Sequence, residues 1–251
     1  MESKASAVTV SALQNMKRDG RKIVGVVAWD YQMALIAERA GVDIVSVGDS
    51  VGMNLWGQAT ETEVTLEELL VVCKAVRRGV KRALFSCDVP YGPVQDGTTA
   101  AVKAALRLAK EGGADIVKVR GVPALVREIV RAGVPVFAEF HGTGLPAAQL
   151  AEEARQLEDA GASLLDFRHS GPQAGPIVVG AVRIPVIGGL GGGPWLDGRM
   201  RMVNAAIGYA ASALESKTES YANVAKISLD ALSAYADDVR AGRHLKGQRP
   251  A

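Results

Sequence analysis

Four segments of this chain, AGVDI at 40–44, EGGADI at 111–116, RAGVPV at 131–136 and DAGASL at 159–164, share one pattern. In each, a helix-patterned stretch ends at a glycine suited to a left-handed cap, and an apolar run follows at once. The apolar runs are KIVGVVA from Lys22, DIVSVG from Asp43, RALFSC from Arg82, DIVKV from Asp115, PVFAEF from Pro135, SLLDF from Ser163 and PVIGGL from Pro185. Between them lie helical patterns over 31–40, 65–79, 97–112, 122–132, 147–160 and, more weakly, 173–182. Strand and helix alternating in this way imply a parallel sheet with right-handed crossovers. Two closures remain, an open doubly wound sheet and a closed (β/α)8 TIM barrel. The strand count favours the barrel, with the eighth strand sought in MVNAAIG, 202–208, and an additional C-terminal helix over 217–241. The glycines at 188–193 imitate a dinucleotide fingerprint, but they come late in the chain and lack the acidic residue about 20 positions on that such a motif needs.

The chain has 251 residues, a common length for a single α/β barrel, and no linker-like stretch divides it, so one barrel domain over 1–251 is expected. A formal charge of +2 gives no reason to expect nucleic acid or an anionic membrane, and the basic tail RAGRHLKGQRPA reads as a solvated end. The expected partner is a small molecule. Two cysteines, Cys73 and Cys87, fit a reducing compartment better than a disulfide framework, and with no signal-like or membrane-length apolar run the expected location is cytoplasmic.

In a barrel, alternate strand residues face inward, and chemistry sits at the C-terminal strand ends. That parity groups Ser86 with Asp88, Lys118 with Arg120, Glu139 with His141, and Asp166 with Arg168. Unpaired buried charges are costly, so charges at successive strand ends read either as ion bridges across the mouth or as a shared polar pocket. DIVSVGDSVGM, 43–53, adds Asp49 and Ser50 to the ring. Mg2+ is held by one or two carboxylates with water and substrate oxygens completing its shell, which makes Asp49 and Asp88 the metal candidates. A cation there would suit an α-keto acid, whose enolate it would stabilise.

VTVSALQNMKRDGRKIVGVVAWDY, VGDSVGMNLWGQATETEVTLEELLVVCKAVRRGVKRALFSCDVPYG, LEDAGASLL and YANVAKISLDALSAYADDVRAGR together resemble the ketopantoate (3-methyl-2-oxobutanoate) hydroxymethyltransferase family over nearly the whole chain. The resemblance implies a barrel of the phosphoenolpyruvate mutase and isocitrate lyase superfamily, a Mg2+ site on Asp49 and Asp88, and homo-oligomerisation. It also implies transfer of a one-carbon unit from 5,10-methylenetetrahydrofolate to an α-keto acid contacted by Ser50 and Lys118. Three positions depart from the family pattern. Arg120 stands where the family has a glutamate near the metal, Glu139 where it has a histidine, and Arg168 where it has the glutamate expected to abstract the proton. The glycine segment GGLGGGPWLDGR also looks one residue longer.

These departures point to a divergent member. Arg120 and Arg168 would make the pocket more positive and suit a substrate with a second anionic group. Glu139 is the first choice of replacement base, because burial would raise its pKa; Asp166 and His141 follow. His169 has the parity of the helix side. Tyr91 and Trp56 sit on loops that would close over a ligand, Asp30 caps a helix, and Asp197 belongs to a turn. Two alternatives stay open: a C–C lyase, hydrolase or mutase of the same superfamily, and a non-catalytic paralogue.

Overall fold

The structure, a computed structural model, describes residues 6–189 and 192–243. Eight parallel strands close in sequence order into a barrel: β1 Ile23–Val27, β2 Ile44–Val47, β3 Leu84–Asp88, β4 Ile116–Arg120, β5 Val136–His141, β6 Leu164–Arg168, β7 Val186–Gly188 and β8 Gly198–Met202. The helices are α1 Val10–Arg18, α2 Tyr31–Arg39, α3 Val51–Leu55, α4 Leu66–Gly79, α5 Tyr91–Gln95, α6 Thr98–Lys110, α7 Pro123–Arg131, α8 Ala147–Asp159, α9 Gly171–Ala181, α10 Val203–Ile207 and α11 Val224–Arg240. The glycines of the four repeated segments, Gly41, Gly113, Gly133 and Gly161, all take positive φ, so the helix-stopping role read from sequence is the one they play.

Inward residues of the lower strand ends, Ile23, Ile44, Leu84, Ile116, Phe137, Leu164, Ile187 and Met200, form one apolar cluster with Leu13 and Met16 of α1. Thr9 caps α1 by accepting from Ala12 N, and the apolar side of the helix, Leu13 and Met16, is buried in that cluster. Apolar filling of the lower barrel leaves the upper strand ends as the place where polar side chains can converge.

The eighth strand corrects the sequence reading: it occupies 198–202, and 203–207 is helix. GRMRM hides its strand character behind two arginines, yet it alternates as a barrel strand should, with Gly198 and Met200 buried and Arg199 exposed. A Cβ at Gly198 would lie 2.2 Å from the Ile23 carbonyl oxygen, so only glycine fits beside β1 there.

The chain packs as two compact units that divide between Arg201 and Met202. In the second, α11 begins at Val224, shorter than the 217–241 expected, because Asn223 caps it by accepting from Lys226 N. The glycine segment contains Leu190 and Gly191, and the basic tail runs on from His244; these residues lie outside those described. Among the described residues, no helix is long and apolar enough to cross a membrane.

Candidate active site

Strand register sets the site. Asp88 pairs with Lys118, Arg120 with Glu139, Glu139 with Asp166, and His141 with Arg168 across β3 to β6. The Lys118 ammonium stands 3.3 Å from Asp88 Oδ2, 3.2 Å from Glu139 Oε2 and 3.5 Å from Asp166 Oδ2. Arg168 reaches Glu139 Oε2 at 2.8 Å and Asp166 Oδ2 at 3.4 Å. Asp166 Oδ1 accepts from Gly189 N at 3.0 Å. Of the two readings set against each other in the sequence analysis, these contacts show the ion bridges across the mouth.

Asp49 and Ser50 follow β2 at the start of α3, beside Asp88. A Cβ on Gly48 would lie 3.0 Å from Ser50 Oγ and 3.4 Å from Asp88 Oδ2, so a bare backbone is what lets these groups close in. Burial, opposed by Lys118 and aided by Glu61, raises Asp49 to about 6. Burial, opposed by Lys118 and aided by Asp49, raises Asp88 to about 7. Asp88 Oδ1 is buried without a partner, as is Ser86 Oγ two residues earlier on the same face. An acceptor stripped of water and left unpaired is costly, so this corner is chemically prepared for a cation or a proton.

Glu139 corrects the sequence reading. Burial does push its pKa up, but Lys118 and Arg168 outweigh burial and hold the carboxylate below its ordinary value. A base clasped by two cations is a weak one. Instead, Glu139 Oε1 lies 3.1 Å from His141 Nε2. Accepting from Nε2–H, it fixes the tautomer in which Nδ1 keeps its lone pair. His141 is half exposed at the mouth, with a side-chain exposure of 45%.

Arg168 carries the second correction. Its donors are engaged by Glu139 and Asp166, so the pair of free arginines expected for a second anionic group reduces to Arg120. Arg120 is exposed at the end of β4 and joins none of the ion pairs formed among the described residues. His169 lies past the strand with φ of 53°, which ends the alternation; its ring sits 6.1 Å from that of His141. Tyr91 and Trp56 are exposed after β3 and α3. Asp30 caps α2 through Met33 N at 2.8 Å, as expected. Asp197 does more than turn the chain: it pairs with Lys17 at 3.0 Å and accepts from Val186 N at 2.8 Å.

Sequence reasoning missed Glu61, whose negative charge helps to raise Asp49. It stands in the 3-10 turn Glu61–Glu63, off any strand, where parity carries no information.

The ketopantoate hydroxymethyltransferase family profile matches residues 7–245. A 3-methyl-2-oxobutanoate hydroxymethyltransferase of Cyanothece sp. is 35% identical, over 93% of this chain and 96% of its own. The enzyme of that name from Moorella thermoacetica is 36% identical, over 95% of each. Among solved structures, phosphonopyruvate hydrolase in complex with oxalate and Mg2+ superposes with a TM-score of 0.63 at 14% identity, covering 96% of this chain and 91% of its own. A 2,3-dimethylmalate lyase of the phosphoenolpyruvate mutase/isocitrate lyase superfamily also scores 0.63, at 13% identity, covering 94% of this chain and 98% of its own. At these identities the two structures share the barrel fold.

Proposed function

Because this chain belongs to the ketopantoate hydroxymethyltransferase family, an enzyme family, we propose that it is a divergent, metal-dependent aldol-type transferase that acts on an α-keto acid through an enolate. The observation that carries the reading is the corner that Asp49 and Asp88 share: the half-buried Asp49 and the buried Asp88 are both raised, chiefly by burial, and Asp88 Oδ1 has no partner. Two carboxylates suit Mg2+, which fills the rest of its shell with water and substrate oxygens. When bound, such a cation polarises the keto oxygen and offsets the charge that develops on it.

The chain's own residues supply the rest. Ser50, beside Asp88, donates to the substrate carboxylate, and Lys118 offers positive charge to the developing enolate oxygen. Nδ1 of His141 takes the proton from the carbon next to the carbonyl; that C–H electron pair moves into the enolate and the keto oxygen becomes the anion. Glu139 orients the imidazole, while Arg168, itself held by Asp166, fixes Glu139. With 5,10-methylenetetrahydrofolate as the proposed donor, water releases formaldehyde from it and tetrahydrofolate departs; the enolate carbon adds to the formaldehyde carbon, and the alkoxide so formed takes the proton back from His141. The exposed apolar residues of α11, Ile227, Leu232, Tyr235 and Val239, support the homo-oligomer that the family resemblance implies.

The test is proton exchange. Incubated with 3-methyl-2-oxobutanoate and Mg2+ in D2O, the protein should wash deuterium into the carbon beside the carbonyl, read by NMR. Absence of exchange across a panel of α-keto acids overturns the enolate reading and favours the non-catalytic paralogue.

A second reading of substrate choice rests on Arg120, exposed and outside the ion-pair network. A keto acid with a distal carboxylate or phosphate would meet it. Arg120→Ala should then lower kcat/KM for such a dianion by about tenfold or more, as expected for a lost charge-assisted contact, and leave a monocarboxylate unchanged. Equal losses for both would dismiss this selectivity.

A further inference from the structure

We propose that Trp29 positions the substrate, its indole N–H donating to the carboxylate of the bound α-keto acid beside Ser50; the proposal rests on the α-keto acid reading above. Strand register places the residue. Val27 pairs with Ser46, Ser46 with Ser86, Val47 with Cys87 and Asp88 with Lys118. The β1–β2 ladder runs on past Val27, since Ala28 N donates to Ser46 O at 3.0 Å. Carried to the next residues, the same register sets Trp29 level with Gly48, and Gly48 level with Asp88 and Lys118. Trp29 shares the inward parity of Val27, whose Cγ1 would lie 3.5 Å from a Cβ on Gly48. The row Trp29, Gly48, Asp88, Lys118 therefore crosses the mouth at the height of the corner, with the bare glycine between the indole and the carboxyl group.

The chemistry of the indole restricts what it can meet. Trp29 Nε1 is buried and has no hydrogen-bond partner among the described residues. Trp195 shows the usual outcome in the same chain, donating from Nε1 to Ser170 Oγ at 2.8 Å. An indole N–H donates only, so the cation proposed for the corner cannot satisfy it, whereas an anionic oxygen can. The carboxylate of an α-keto acid supplies such oxygens and stays charged through enolisation. Ser50 Oγ, 3.0 Å from the position a Cβ would take on Gly48, offers the second donor at the same place. Two donors set on one carboxylate orient the molecule as well as hold it.

The test reads the N–H itself. The chain has three tryptophans, Trp29, Trp56 and Trp195, and so three indole N–H resonances when its tryptophan is labelled with nitrogen-15. Trp29→Phe keeps an aromatic ring, removes the donor and identifies the Trp29 signal by its loss. On titration of the parent with 3-methyl-2-oxobutanoate and Mg2+, the Trp29 proton should move downfield while that of Trp195 stays. In the deuterium-exchange assay Trp29→Phe should raise KM by about tenfold, the worth of a hydrogen bond to a charged group. Its kcat should stay within about twofold, because a carboxylate that does not change in the reaction is held equally in ground and transition states. A urea midpoint equal to that of the parent separates lost binding from lost folding. A Trp29 signal that stays put while the keto acid exchanges its proton, or a KM unchanged in Trp29→Phe, overturns the assignment and leaves the α-keto acid reading standing. Absence of exchange with any α-keto acid overturns that reading, and the Trp29 signal then decides the indole contact separately: moved by the keto acid, the contact holds for binding; unmoved, it falls as well.

Discussion

Lys118→Met tests the electrostatic design of the barrel mouth directly. At an effective dielectric constant near 20, each of the three contacts at 3.3, 3.2 and 3.5 Å is worth about 5 kcal/mol of gross attraction. Removing water from the ammonium and its partners offsets most of that, and breaking a buried ion pair by deleting one side costs about 3–5 kcal/mol. The loss does not fall evenly. Arg168 still serves Glu139 and Asp166, whereas Asp88 Oδ2 loses Lys118 and Oδ1 has nothing to begin with. Asp88 is already raised to about 7, and without the ammonium it rises further. A carboxyl whose folded pKa lies above its unfolded value destabilises the fold as pH rises from the unfolded value through the folded one. Deleting the cation extends that interval upward, so Asp88 alone separates variant from parent by about 1.4 kcal/mol for each pH unit above neutrality. At about pH 5.5 Asp88 holds its proton in both proteins, and this component vanishes. Urea unfolding in chelator should therefore show a loss of about 3–5 kcal/mol near pH 8, smaller by about 1–2 kcal/mol near pH 5.5. A loss as large at the lower pH, or one under about 1 kcal/mol at the higher, would refute the assignment of Asp88 as the stranded group.

Three further outcomes follow from the geometry. His141→Asn should slow deuterium exchange by about 100-fold or more and leave stability within about 0.5 kcal/mol, since the side chain is half exposed; exchange at the parent rate would return the base role to another group. Gly52→Ala should cost about 1–3 kcal/mol, because the new Cβ displaces the side chains of Gln58 and Val64; an unchanged urea midpoint would show that those contacts give way freely. Asp197→Asn should lower stability by about 1–3 kcal/mol through the loss of its charge-assisted bonds to Lys17 and Val186 N without changing Mn2+ affinity, both measured on the same preparation.

What the sequence made legible depended on how local the signal was. Glycine-stopped helices and apolar runs are properties of neighbouring residues, so the (β/α)8 order could be read directly, and strand parity brought Asp88, Lys118, Glu139, Asp166 and Arg168 into one cluster. The eighth strand failed because its inward residues are Gly198 and Met200, which give little apolar pattern between two arginines. The protonation tendency of Glu139 failed for a different reason: parity says which residues share a face, but the sign of a pKa shift depends on distances to particular charges, here 3.2 Å to Lys118 and 2.8 Å to Arg168.

Charge balance ties these particulars to the proposed chemistry. When ionised, Asp49, Asp88, Glu139 and Asp166 carry four negative charges, and Lys118 and Arg168 return two positive ones. Glu139 and Asp166 have Arg168 as well as Lys118, so the surplus settles on Asp49 and Asp88, the two groups with raised pKa values. A surplus of two negative charges in a partly buried mouth is relieved either by two protons or by one divalent cation. Two protons and the proposed divalent cation are therefore alternative occupants of the same two carboxylates. Arg168 makes that alternative sharp, because by neutralising the β5–β6 side it leaves the deficit of positive charge on the β2–β3 side, where Asp88 Oδ1 waits without a donor.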